Sequence, residues 1–298
     1  MSPQLALLVN PAARGGRTLR LLEPVARRLR AGGAELSVIV GDDPADALER
    51  ACTAVSERPD ALVAFGGDGL VHLAAQAVAG TDVPLGIIPA GTGNDIAGAL
   101  GVPCKDPVAA ARTVLRMKSR TVDAARVRAG STDEVFAGVM CCGFDSRVNE
   151  RANRRTWPPG MARYLVATVE ELRSFRPIPF RVTFDDAEVV EREVMLVAVA
   201  NTGSYGAGMR VSPHSRPDDG LLDVVMVDAL SRSEFLRVFP SVYRGRHVGH
   251  RAVTVRRARS VRLETVPEHE AVAYADGERV GPVPLHAEVM PGALHVIV

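Results

Sequence analysis

The stretch Ala61–Asp95 reads ALVAFGGDGLVHLAAQAVAGTDVPLGIIPAGTGND. It opens with the uninterrupted apolar run Ala61–Phe65, the composition of a strand buried on both faces of a parallel sheet. The glycine turn Gly66-Gly67-Asp68-Gly69 follows at once, then a helical stretch from Leu70 to Ala79. A second strand, Pro84–Ile88, ends in a second small-residue turn, Pro89-Ala90-Gly91-Thr92-Gly93-Asn94-Asp95. Two strand–turn–helix units in succession bring both turns to the carboxyl edge of one sheet, where open α/β sheets bind ligands. Glycines admit close approach of backbone N–H groups to an anion, and the helix N-terminus behind them adds positive partial charge. The arrangement reads as a nucleotide phosphate site.

Upstream, Leu5–Val9 is a short strand ended by Asn10-Pro11, and Gly15-Gly16-Arg17 forms another glycine turn. Leu19, Leu22, Val25, Ala26 and Leu29 then fall at helical spacing over Thr18–Ala31, and Gly32-Gly33 stops that helix. Glu35–Val40 is the next strand. Asp43-Pro44 and Asp106-Pro107 each pair an N-cap with proline at the first helical position, ahead of helices at Ala45–Ser56 and Val108–Lys118. This alternation predicts a three-layer α/β/α nucleotide-binding domain over 1–121. Beyond Thr121 the rhythm changes to many short strands with turn residues between them. Helical patterns persist only at Ala162–Phe175 and Ser233–Val242, which predicts an antiparallel β-sandwich over 122–287. The last strands, 288–298, can pack back on either domain.

The chain has 298 residues with formal net charge +1 and 4 % aromatic residues. That balance speaks against nucleic acid as partner, since neither a basic excess nor aromatic stacking platforms are available. Arginines do cluster at Arg151, Arg154, Arg155 and Arg163, and again from Arg244 to Arg259. The plain reading is a solvated face; the alternative is an anionic membrane surface. Cys52, Cys104, Cys141 and Cys142 form no metal-ligand spacing and read as small buried hydrophobes in a reducing compartment. With no apolar run long enough to span a bilayer, a cytoplasmic protein with peripheral membrane contact is expected.

A carboxylate inside a phosphate-binding turn repels the phosphates unless a cation lies between them. Asp68 therefore points to Mg²⁺ or to an ion pair with a basic residue, and Asp95 adds a second carboxylate. The plainer role for Asp95 is helix capping. Arg17, or else Arg14, supplies the cationic partner.

Asn-Pro followed by Gly-Gly-Arg, then GGDG, then PAGTGND, in this order and spacing, resembles the diacylglycerol kinase catalytic family, which includes bacterial soluble lipid kinases and the sphingosine and ceramide kinases. Later marks extend the resemblance along the whole chain: Asn201–Gly208, Pro217–Asp223 and Tyr274-Ala275-Asp276-Gly277-Glu278. The stretches around Phe144-Asp145-Ser146 and Ala152-Asn153-Arg154 are similar to the actinobacterial diacylglycerol kinases. The resemblance implies an α/β domain that binds ATP, a β-sandwich that supports the lipid site, and reaction in the cleft. It implies that Asn10, Pro11, Gly15, Gly16, Gly66, Gly67, Asp68, Gly69, Gly91, Thr92, Gly93 and Asn94 bind ATP, and that Asp68, Asp95 and Arg17 form the charged cluster near the phosphates. It places Asp276 and Glu278 near the acceptor hydroxyl, with Glu278 as general base. It also implies a structural Mg²⁺ held by Asp219 and the carbonyls of Arg216 and Leu221. Read without the family, Asp-Gly-Glu is a hairpin turn and the Pro217–Asp223 loop a polar β-turn.

The sequence departs from the family pattern in two places. Leu70, Val71, His72 and Leu73 replace a hydroxyl and a polar pair after GGDG, and Gly41 stands where a threonine often contacts nucleotide. His72 reads as a helix-face residue. The expected activity is ATP- and Mg²⁺-dependent phosphorylation of diacylglycerol. The alternatives are another lipid acceptor of the ceramide or sphingosine kind, NAD, or a catalytically idle binding regulator. A homodimer is one allowed assembly.

Overall fold

The computed structural model describes residues 2–10, 17–158, 160–266 and 270–298. The chain divides into two compact units. The first holds residues up to Ala124 together with Pro217–Asp219 and Met290–Val298, and the second holds Ala125–Arg216 and Gly220–Val289.

The first unit alternates β1 (Gln4–Val9), α1 (Arg17–Ala31), β2 (Glu35–Val40), α2 (Pro44–Ser56), β3 (Ala61–Gly66), α3 (Asp68–Val78), β4 (Leu85–Pro89), α4 (Asp95–Ala99) and α5 (Pro107–Leu115). β3 and β4 are buried along their whole length, as their apolar runs require, whereas β2 is an edge strand and leaves Val38 and Val40 exposed. The strands pair in parallel in the order β4-β3-β1-β2. α1 packs with α5, and α2 with α3, giving a helix layer on each face of the sheet. Asp43 and Asp106 cap α2 and α5 by accepting the N–H of Asp46 and Val108, both at 2.9 Å, with proline at the start of each helix. The chain moves from β1 outward to β2 and then returns to place β3 on the other side of β1. That reversal makes the carboxyl ends of β1 and β3 the topological switch point.

The chain then runs through β5 (Ser119–Ala129), β6 (Thr132–Phe136), β7 (Val139–Gly143), α6 (Phe144–Asn153), α7 (Met161–Ser174), β8 (Ile178–Phe184), β9 (Glu188–Ala200), β10 (Leu222–Asp228), α8 (Arg232–Val238), β11 (Val253–Ala258), β12 (Ser260–Thr265), β13 (Val272–Ala275), β14 (Glu278–Pro282) and β15 (Leu285–Ile297). β5 and β15 each run across the boundary between the units. In the second unit the described pairings are antiparallel. β9 organises them: Glu188–Val194 pairs with β8, while the fully buried half from Val194 to Ala200 pairs with β7 and β10. The mainly antiparallel β organisation after an α/β half is the one expected from the change of rhythm. The end of the chain supplies one further strand to the first unit, where Val296 pairs in parallel with Leu85 of β4.

Cys141 and Cys142 are buried as the sequence reading expects, but Cys52 is exposed and Cys104 only partly buried, and two helices also differ from that reading. Phe144–Asn153 is a helix, although its polar and arginine-rich run hid the apolar stripe Phe144, Val148 and Ala152. The Ser233–Val242 pattern breaks after Val238 into 3-10 turns over Phe239–Arg244, with Pro240 near their start. α6 is fixed by Phe144, whose ring meets Phe175 edge-on at 5.2 Å and Phe235 at 5.0 Å. Such aromatic pairs add about 0.5–1.5 kcal/mol beyond area burial.

Candidate active site

At the switch point three strand ends lie side by side. Val9 pairs with Phe65, and Gly66 pairs with Pro89, so Asn10 follows its strand next to the place where both glycine turns begin. Ala90 donates its N–H to Gly66 O at 2.7 Å. The two turns then touch. A Cβ on Gly67 would lie 3.1 Å from Gly91 Cα, and one on Gly91 would fall inside contact distance of Gly67 Cα. Gly91 leaves no room for a Cβ and Gly67 only a tight fit for one, so the sequence signal has a steric cause. Asn94 folds the second turn on itself in a left-handed conformation (φ 59°), accepting Gly91 N–H at 2.9 Å and donating back to Gly91 O at 3.1 Å.

Asp68 starts α3, and its Oδ1 accepts the N–H of Ile96 in the first turn of α4 at 3.1 Å. One carboxylate thus ties the two turn-and-helix units together. Asn94, rather than Asp95, occupies the cap position of α4, and Asp95 is the first helical residue. Asp68 and Asp95 both act on Cys104. Its thiol is pushed up first by burial and then by these two negative charges. Cys104, unmarked by any motif, therefore sits within the field of both carboxylates. Of the remaining candidates, Pro11, Gly15 and Gly16 lie outside the described residues, as do Arg14 and the side chain of Arg17. Gly69 lies in the first turn of α3, and Thr92 and Gly93 lie in the second glycine turn, between Gly91 and Asn94.

The departures from the family pattern have local reasons. Leu70, Val71 and His72 are buried on the packed side of α3, and the Leu70 side chain covers Gly66 so that a Cβ there would meet it at 2.7 Å. At Gly41 a Cβ would stand 2.5 Å from the backbone of Ala47, so threonine has no room unless α2 moves.

In the second unit, Asp276-Gly277 is a two-residue hairpin turn between β13 and β14. Both residues have positive φ (54° and 91°), as tight hairpins of this kind demand. The Asp276 carboxylate accepts three backbone N–H groups, from Ala137 and Gly138 at 2.9 Å and from Val139 at 3.2 Å. The same loop is held from the other side by Asn201, which donates its side-chain amide to Ala137 O at 2.8 Å and its backbone N–H to Gly138 O at 2.9 Å. Two separate sequence marks, Asn201-Thr202 and Asp276-Gly277, thus converge on Ala137-Gly138, a pair no motif singles out. Glu278 begins β14 and is exposed.

Arg216, Asp219 and Leu221 share one short loop before β10, with Gly220 turning it at φ 71°. The chain on either side is anchored. Asp123 N–H donates to Pro217 O at 2.6 Å, and the buried Asp223 accepts Ser212, Ser215 and Arg257.

Comparison with known proteins agrees with these marks. A model of the diacylglycerol kinase catalytic domain matches residues 4–127, and one of the YegS C-terminal NAD kinase beta sandwich-like domain matches residues 138–298. Over 295 residues the chain is 40 % identical to a diacylglycerol kinase of Mycobacterium tuberculosis (strain ATCC 25618 / H37Rv), covering 99 % of this chain and 94 % of that protein. The chain belongs to the diacylglycerol kinase family. A diacylglycerol kinase of Bacillus subtilis (strain 168) is 27 % identical over 98 % of this chain and 95 % of that one. A crystal structure from Bacillus anthracis str. Sterne, assigned to the diacylglycerol kinases, matches with a TM-score of 0.79 at 27 % identity, covering 99 % of this chain and 97 % of that one.

Membership of a lipid-kinase family implies ATP and a divalent metal, and the residues present fit both. Two abutting glycine turns leave backbone amides without Cβ shielding, as a phosphate cradle requires. Asp68 and Asp95 supply hard oxygen donors beside it. Among the described residues no cluster of three or more His, Cys, Asp or Glu could hold a metal alone. A metal shared between one or two carboxylates and substrate phosphates needs no such cluster.

Proposed function

We propose that this lipid kinase transfers the γ-phosphoryl group of ATP, with Mg²⁺, to the hydroxyl of diacylglycerol, giving phosphatidate at a membrane surface. The observation that carries the reading is the contact of Gly67 with Gly91, bridged by the Asp68–Ile96 hydrogen bond. When bound, the metal ion neutralises charge between these carboxylates and the phosphates. Asn10, Gly66, Gly67, Gly69, Gly91, Thr92, Gly93 and Asn94 bind and orient the nucleotide. Glu278 accepts the proton of the attacking hydroxyl as the oxygen–phosphorus bond forms and ADP leaves. Asp276 holds the turn from which Glu278 projects. The loop carrying Arg216, Asp219 and Leu221 is proposed as the second Mg²⁺ site, its oxygen donors suiting a hard cation.

Among the described residues no helix is long and apolar enough to cross a membrane. Peripheral contact is supported instead by exposed apolar side chains. Trp157 is 77 % exposed, and Leu165 and Val169, one turn apart on α7, are 65 % and 43 % exposed. An apolar stripe among arginines suits the boundary between headgroups and acyl chains.

The test is incubation with radiolabelled ATP and, separately, diacylglycerol, ceramide, sphingosine and NAD. Label in phosphatidate, lost in Glu278→Gln, supports the reading. Label only in one of the other acceptors, or ATP binding with no turnover on any, overturns it.

A further inference from the structure

The second unit contains a cavity of about 1150 Å³. That is roomy for a small-ligand site, and neither Asp276 nor Glu278 lines it. Its basic wall is written in the spacing of α6. Arg147, Glu150, Arg151 and Arg154 recur at three- and four-residue intervals, so they share one helix face. Arg279 joins them from β14. Successive side chains of a strand point to opposite faces, which separates Arg279 from its neighbour Glu278.

The charge on this wall does not cancel. Arg147 and Arg151 share the buried carboxylate of Glu171 at 2.6 and 2.7 Å, and Arg151 also lies 3.8 Å from Glu170. Arg279 is 3.9 Å from Glu150. Arg154 has no side-chain hydrogen bond or ion pair among the described residues. These four guanidiniums face two carboxylates on their own wall, and over the whole described lining five arginines stand against four glutamates, a net charge of +1. Arg155 is taken up by Glu170, while Glu264 lies opposite Arg181, which is itself ion-paired with Glu191 at 2.7 Å. Among the described residues Glu270 is the other acid at the cavity. Ser146 and Thr265 add hydroxyls, and the apolar part of the lining includes Ile178, Val272, Val283 and Pro284.

We infer that this cavity is a binding site for a phosphate monoester carried on an apolar body, separate from the turn that bears Glu278. A phosphomonoester is close to a dianion at neutral pH and accepts several charge-assisted hydrogen bonds at once, which guanidiniums are shaped to donate. A phosphorylated glycerolipid puts that group on the arginine wall and the roots of its acyl chains on the apolar lining. On the proposed kinase reading, which this consequence rests on, such a ligand is of the product class, and the site lets the enzyme hold or sense its product.

The experiment is calorimetric titration of the full chain, without ATP, with dihexanoyl phosphatidate, glycerol 3-phosphate, inorganic phosphate and dihexanoylglycerol at constant ionic strength. Saturable binding of the phosphatidate is expected, at least tenfold tighter than glycerol 3-phosphate, with none measurable for dihexanoylglycerol. Arg154→Gln and Arg279→Gln should each weaken it about tenfold, and Glu270→Gln should tighten it. An anion held at the glycine turns would not respond to these three variants. Equal affinity for phosphatidate and glycerol 3-phosphate keeps the phosphomonoester site and makes its source a soluble ester. No saturable binding, or binding indifferent to both arginine variants, overturns the inference. Because no turnover is read, failure here leaves the kinase reading untouched, and the acceptor panel tests that reading separately.

Discussion

The Asp276 carboxylate accepts the backbone N–H of Gly138 at 2.9 Å, across a separation of 138 residues. With Ala137 and Val139 also donating, the carboxylate of the turn that precedes the candidate base is occupied in holding that turn. Asp276→Asn keeps the shape but sets an NH₂ group against a backbone N–H. That mismatch should cost about 1–3 kcal/mol of stability and lower kcat through displacement of Glu278. Glu278→Gln, at an exposed position, should leave stability within about 0.5 kcal/mol of wild type while abolishing turnover. Thermal unfolding and steady-state kinetics on the two variants read this contrast directly.

Gly91 in the second glycine turn and Gly98 in the helix that follows it make a second contrast. Gly91→Ala has no space for its methyl against Gly67 and should lower ATP affinity at least tenfold. Gly98→Ala places its methyl at an ordinary 3.6 Å from Cys104 Sγ inside α4. It should bind ATP normally and be as stable as wild type, or more so by up to about 1 kcal/mol. Fluorescent nucleotide titration with both proteins measures the difference.

Asp145 provides a pH signature. Burial raises its carboxyl from the usual 3.8 to about 7, and Oδ2 is buried with no hydrogen-bond partner. The folded protein therefore keeps a proton that the unfolded chain gives up, so stability falls as pH rises from about 4 to about 7. Asp145→Asn should remove that fall. Compared with wild type, it should unfold at a higher temperature at pH 8, by a margin equivalent to a few kcal/mol, with the difference fading toward pH 4. A constant difference across that range contradicts this role for Asp145.

Much of the first unit was legible because parallel strands buried on both faces are uninterrupted apolar runs, and because Asp-Pro pairs announce their helices. Ala61–Gly66 and the caps Asp43 and Asp106 are cases in point. The glycine turns were legible since their spacing reflects a steric need that the contact of Gly67 with Gly91 makes explicit. α6 was not, because its arginine stripe swamps a thin apolar one. The spacing of Arg147, Glu150, Arg151 and Arg154 could have marked it. Ala137-Gly138 was invisible for a different reason. It contributes only backbone groups, and its partners Asn201 and Asp276 lie far along the chain. Cys104 likewise acquires its surroundings only from folding, which sets it near Asp68 and Asp95.

The most direct measurement is the affinity of the full chain for ATP with and without Mg²⁺, in wild type and in Asp68→Asn. Carboxylates set among phosphate-cradling turns predict that Mg²⁺ tightens ATP binding at least tenfold in wild type and that Asp68→Asn loses most of this gain. ATP affinity that is absent, or the same with and without Mg²⁺, would contradict it.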